Sequence, residues 1–198
     1  MARGEIRVGP WRRTDSGDGQ QIRIQFAEHE LQVLRALSRS VLGWFAERRQ
    51  SEPSDELSEL TGIRIGHAEP PTGVALRRLL PDMHRPDDGD GREERETREL
   101  NSAMRSLHEP EVLEAKEGFG RVFAASLPEH AGEAVLSMDE ARSWVAALND
   151  LRLTLGSILD ITPDTPEQLP PGHPHAAQLG VYHWLTVLQE SLLIALTR

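Results

Sequence analysis

Residues 22–49 read IRIQFAEHELQVLRALSRSVLGWFAERR, and a change of period inside this stretch decides the fold class. Ile22, Ile24 and Phe26 alternate with Arg23 and Gln25. That period of two places successive side chains on opposite faces of a strand. From Glu28 the apolar residues return at helical spacing, as Leu31, Leu34, Leu37, Val41 and Phe45, with Leu42 and Trp44 widening the stripe. A strand that runs straight into a long amphipathic helix is expected here.

Towards the N-terminus, Ile6 and Val8 offer a second strand, and the turn formers Asp15-Ser16-Gly17-Asp18-Gly19 lie between the two. A β-hairpin within residues 1–26 follows, with Pro10 suited to an edge or a bulge.

Towards the C-terminus, Glu52-Pro53-Ser54-Asp55 breaks the long helix, and Asp55–Leu60 reads as a short helix closed by Gly62. Val74–Leu80 reads as another, stopped by Pro81, and residues 84–91 form a polar, acidic loop. Arg92–Leu107 is helical. Glu109-Pro110-Glu111 marks a boundary, because proline and acidic residues favour a first helical turn, and a new helix then runs to Leu127. Ala134-Val135-Leu136 reads as a short extended piece. Ser137-Met138-Asp139-Glu140 is a capping box that opens a helix carrying Trp144, Leu148, Leu151 and Leu155. Residues 162–174 hold five prolines and form a loop, and the last helix, from about His175 to Thr197, is apolar almost all round. Such a helix belongs in a core or a subunit interface. The expected architecture is mainly α, a single domain over residues 1–198 with five to six helices and an N-terminal β-hairpin.

The 198 residues, 38% apolar and 27% charged, suffice for one domain with a substantial core. There is no cysteine, which excludes disulfides, thiolate metal ligands, iron–sulfur clusters and a cysteine nucleophile. The formal charge is −10. It is uneven: residues 1–49 carry +3, residues 50–107 carry −5 and residues 108–198 carry −8. An acidic chain is repelled by phosphate backbones unless a local patch overrides the field. Only the first quarter supplies one, with Arg12 and Arg13 beside Trp11 and Arg23 nearby. No leader pattern opens the chain. The most apolar window, Leu179–Leu196, is interrupted by Tyr182, His183, Gln189 and Glu190 and reads as a buried helix, so a cytoplasmic location without membrane contact is expected.

Motifs for catalysis and cofactors are not met. His29-Glu30 begins like a zinc-protease helix, but position 33 is Val33 where a second histidine is needed. No nucleophile elbow, phosphate-binding loop or dinucleotide fingerprint is present. Asp87, Asp88 and Asp90 lack the glycine and terminal glutamate spacing of a calcium loop. His173, His175 and His183 are the weak candidates for a metal site. His175 and His183 lie about two helical turns apart, too far for one ion unless the helix starts later. Glu56–Gly62 followed by Val74–Leu80 is a faint helix-turn-helix, with Arg77 and Arg78 facing phosphate, but the intervening turn is far too long.

The stretches Asp55–Gly62, Leu76-Arg77-Arg78-Leu79-Leu80-Pro81-Asp82, Arg85-Pro86-Asp87-Asp88, Arg105–Pro110 and Trp144–Leu153 together resemble an actinobacterial family of AosR-like oxidative-stress transcriptional regulators, long described as a domain of unknown function. The resemblance covers nearly the whole chain. It implies a thiol-based redox sensor that works with a stress sigma factor to raise expression of cysteine-biosynthesis genes. This chain departs from that pattern at its centre, since it has no thiol to oxidise. Oxidation at Met83, Met104 or Met138 is the sulfur chemistry that remains. The expectation is a cytoplasmic, non-enzymatic, cofactor-free regulator that contacts a protein partner, a sigma factor or RNA polymerase, through Arg77, Arg78, Asp87 and Asp88, and that forms a homodimer through its apolar helices. An acidic chain suits a basic protein better than naked DNA. The alternatives are a histidine-based metal protein or enzyme, and a direct DNA-binding regulator using Arg12, Arg13 and Arg23.

Overall fold

The computed structural model describes residues 11–17, 19–53, 64–84, 91–170 and 172–198. Its strands are β1 (Arg12–Ser16), β2 (Gly19–Phe26) and β3 (Gly132–Ser137). Its helices among the described residues are α1 (Glu28–Gln50), α2 (Val74–Leu79), α3 (Gly91–Ser126), α4 (Met138–Ile158) and α5 (Ala176–Thr197). The protein is mainly α with an N-terminal antiparallel hairpin. The short helix expected at residues 55–60 lies outside the described residues, as do Ile6, Val8 and Pro10.

The hairpin differs from expectation in its partner strand and its loop. β2 pairs with Arg12–Ser16, in the register Arg12 with Arg23 and Ser16 with Gly19. Asp15, Ser16 and Gly19, read as loop, therefore belong to the ladder, and only residues 17 and 18 connect the strands. Gly19 closes the turn at φ +109°, a conformation that side chains with a Cβ rarely adopt. The extended piece at 134–136 is a full third strand. β3 pairs antiparallel with β2, Gln21 opposite Ser137 and Phe26 opposite Gly132, so β2 is central. An unpaired edge on β2 would leave a row of backbone donors and acceptors open.

The alternation read from the sequence is the burial pattern of the sheet. Ile22, Ile24 and Phe26 face inward, joined by Ala134 and Leu136 from β3. They meet an aromatic cluster in which Trp144 sits 4.4 Å from Phe123, 5.4 Å from Trp11 and 5.9 Å from Phe26, ring centre to ring centre. Both indoles that need acceptors here find them: Trp11 Nε1 donates to the Leu188 carbonyl at 3.1 Å and Trp144 Nε1 to Ser126 Oγ at 2.7 Å. Helix α4 is the hub, packed against α1, α2, α3, α5 and the sheet. Its capping box is formed as expected, with Ser137 Oγ accepting from Glu140 N–H and Glu140 accepting from Ser137 N–H.

Helix α5 is long and apolar enough to cross a membrane by length and composition, but one face is core: Leu185, Leu188 and Leu192 are fully buried. Its other face leaves Val187, Leu193 and Ile194 exposed.

The boundary expected at Pro110 is absent. Residues 91–126 form one helix of 36 residues with Pro110 inside it. A proline in mid-helix lacks the N–H that would bond the carbonyl four residues back. That carbonyl belongs to Ser106, and it accepts instead from Gly66 N–H at 2.7 Å. The crossing segment thus replaces the lost bond, and the helix continues. Gly66 must be glycine for this approach, because a Cβ there would lie 2.7 Å from Pro110 Cδ. Gly120 lies where α1 and α3 cross: a Cβ there would lie 2.8 Å from Leu42 Cδ2, the end of a flexible side chain that can shift, unlike the Pro110 ring.

Candidate functional site

Polar residues of α3 recur at positions 98, 101, 102 and 105, the spacing that places them on one helical face. This stripe looks towards α2 and the segment before it. Between them opens a cleft of about 310 Å³ lined by Arg77, Asp82, Arg98, Asn101, Ser102, Arg105 and residues 68–70. A second recess of about 350 Å³ lies on the other side of Arg105, over Leu79, Leu80, Val112 and Leu153, with Met83 on its wall.

Arg105 separates the two. Its side chain is 3% exposed, and it donates Nη1 to Glu109 at 2.6 Å and to the Leu80 carbonyl at 3.1 Å, and Nη2 to Asp82 at 2.8 Å. Glu109, equally buried, also accepts from Arg48 Nε at 2.7 Å. Arg48 continues to the Glu69 carbonyl at 2.6 Å. One network therefore ties α1, α3 and both ends of the 69–82 segment. Asn101 adds a clamp: its amide donates to the His84 carbonyl and accepts from His84 N–H, both at 2.8 Å, as a neighbouring strand would.

Helix α2 rests on this frame. Ala75 and Leu79 are buried beneath it, while Val74, Arg77 and Arg78 stand exposed on its outer face. Arg77 donates Nε to the Pro71 carbonyl at 3.2 Å, and its two terminal nitrogens have no acceptor among the described residues. Of the four residues expected to contact a partner, Arg77 and Arg78 share this exposed face, and Asp87 and Asp88 lie outside the described residues.

The basic patch is spread over the hairpin. Arg12 and Arg23 are register partners and so share a face, whereas Arg13 points to the other. Arg23 is paired with Glu133 at 2.8 Å, and Arg13 donates to Gln20. Of the histidines, His173 and His175 come together, ring centres 5.7 Å apart, with His173 Nδ1 accepting from His175 N–H at 3.2 Å. His183 instead lies edge-on to Tyr182, ring centres 5.5 Å apart. Among the described residues no three His, Asp or Glu side chains are grouped to hold a metal ion.

The sequence reading missed Arg105, Glu109 and Lys116. Lys116 is the lone lysine among 22 basic residues, and it pairs with the buried Asp150 of α4 at 2.6 Å. Burial pushes the Asp150 carboxyl above its ordinary range, and the Lys116 charge and hydrogen bond only partly oppose that. The signal was available in the composition: one lysine in an arginine-rich chain stands where a compact ammonium is needed.

A family model described as Domain of unknown function (DUF2017) matches residues 8–196. The chain is 45% identical to the oxidative stress regulator AosR of Mycobacterium bovis and to that of Mycobacterium tuberculosis, in each case over 98% of this chain and 93% of the relative. It is 44% identical, with the same coverage, to the putative oxidative stress regulator AosR of Mycobacterium leprae. No solved structure matches. The chain belongs to the DUF2017 family and is related over nearly its full length to the mycobacterial AosR proteins.

Proposed function

We propose that this protein is a regulator of the oxidative stress response that acts on transcription by protein–protein contact, with a sigma factor or RNA polymerase as the partner. The naming of its full-length relatives as oxidative stress regulators supports the regulatory role. The observation that carries the contact mode is α2: a short helix held by a buried ion network, presenting Val74, Arg77 and Arg78 outward. A rigid scaffold with an apolar centre and flanking arginines is the composition of an interface core. The net charge of −10 opposes a DNA backbone and favours a partner with basic surface around an acidic spot for the arginines. Since the chain has no cysteine, its regulation does not run through a disulfide.

Co-elution with purified actinobacterial RNA polymerase holoenzyme on a sizing column tests this. A complex is expected, and elution of all components apart from this protein overturns the reading.

The homodimer belongs to the same proposal. The exposed Val187, Leu193 and Ile194 of α5 supply an apolar face for a second copy, packed helix against helix. Light scattering should give twice the chain mass, and Ile194→Arg should return it to one.

A further inference from the structure

The cleft between α2 and α3 is more than a support for α2. Three arginines line it: Arg105, whose side chain is almost fully buried, and the exposed Arg77 and Arg98. Three of the five N–H donors of Arg105 are engaged by Glu109, Asp82 and Leu80, which leaves Nε–H and one Nη2–H without an acceptor among the described residues. Among the described residues Arg98 reaches its own helix, donating Nε to the Glu94 carbonyl at 3.4 Å, and Arg77 reaches Pro71. The terminal nitrogens of both therefore have no carboxylate partner among the described residues. Ser102, one turn from Arg98, adds a hydroxyl to the same lining.

Two carboxylates also line the cleft. Asp82 already accepts from Arg105, and the exposed Glu69 stands on the rim. The guanidiniums outnumber them, and the buried one is fixed in place, so it loses little freedom on binding. Planar donor forks arranged this way match a doubly charged oxyanion, which accepts several charge-assisted hydrogen bonds at once. The volume of about 310 Å³ is that of a metabolite-sized ligand and not of a macromolecular chain.

We propose that the Arg77–Arg98–Arg105 cleft is a binding site for a small molecule with a doubly charged oxyanion head, a phosphate monoester or a dicarboxylate. The site stands on the cleft itself, so it does not depend on the regulatory reading. A bound anion would bridge α2 to α3 through Arg77 and Arg98 and so alter the surface that α2 presents.

The test is thermal unfolding of the whole protein with inorganic phosphate or with succinate, each against sodium chloride of equal ionic strength. A saturable rise in Tm at millimolar concentration is expected with at least one of the two. Phosphate alone identifies a phosphoryl head, succinate alone a dicarboxylate head, and both a site that reads charge. The rise should vanish in Arg77→Gln/Arg98→Gln, whose substituted side chains are exposed and leave the core intact, and should persist in Arg142→Gln on α4. General salting-out by phosphate would not saturate and would ignore these substitutions. No saturable rise with either anion, or an equal rise in the double variant, overturns the proposal. Because the measurement involves no partner, its failure leaves the regulatory reading untouched.

Discussion

Arg105 and Glu109, one turn apart on α3, close an ion pair at 2.6 Å with each side chain only 3% exposed. Both charges are largely withdrawn from bulk water, so each leans on the other and on the partners Arg48, Asp82 and the Leu80 carbonyl. Buried pairs of this kind add little net stability, but removing one partner strands the other. Arg105→Ala should therefore cost about 3–5 kcal/mol in urea unfolding. Arg105→Met/Glu109→Leu should cost less than the sum of the single changes, because it removes both charges together.

Gly66 and Pro110 make a second dependence. The Gly66 N–H bonds the carbonyl that Pro110 leaves open, and the proline ring occupies the space of any Cβ. Gly66→Ala should lose about 1–3 kcal/mol by overpacking, because a proline ring cannot rotate aside. Denaturant unfolding should show the midpoint falling with the slope unchanged.

Asp150 gives a pH dependence with a definite sign. Its folded carboxyl titrates above the ordinary aspartate range, through burial that Lys116 only partly offsets. The folded state thus holds the proton more tightly than the unfolded chain does, and this group's contribution falls as pH rises through the window between the two values. Asp150→Asn removes that slope. Measured from the acid side of the carboxylate range towards neutrality, the stability of Asp150→Asn relative to the parent should rise with pH. A difference that stays flat or falls would remove Asp150 from the account.

Much of the fold was legible because period and punctuation agree. The stretch 22–49 gave β2 and α1 with their buried faces, and the 137–140 capping box marked the start of α4. Pro110 misled for a physical reason. Its helix-breaking cost is local, whereas the donor that offsets it, Gly66, lies 44 positions away and carries no local sign of that role. The hairpin partner was hard to place because Arg12–Ser16 has no alternation of apolar residues to mark it as a strand. The cleft was half legible. Arg77 and Arg78 stood out as a pair, but Arg98 and Arg105 read as one more helical face until α2 was set against them. Arg105 is an exception to the rule that arginines stay in water, and only the tertiary partners Glu109 and Asp82 explain it.

The central claim is that α2 is the contact surface of a transcriptional regulator. The most direct measurement is a binding titration of immobilised actinobacterial RNA polymerase holoenzyme with three forms of this protein: the parent, Arg77→Glu/Arg78→Glu, and Arg142→Glu as a charge control on the exposed side of α4. Reversing two interface charges should weaken the parent affinity at least tenfold, on the order of 1.4 kcal/mol or more, while Arg142→Glu binds as the parent does. Equal affinity for all three forms, or no binding by the parent, would contradict the account.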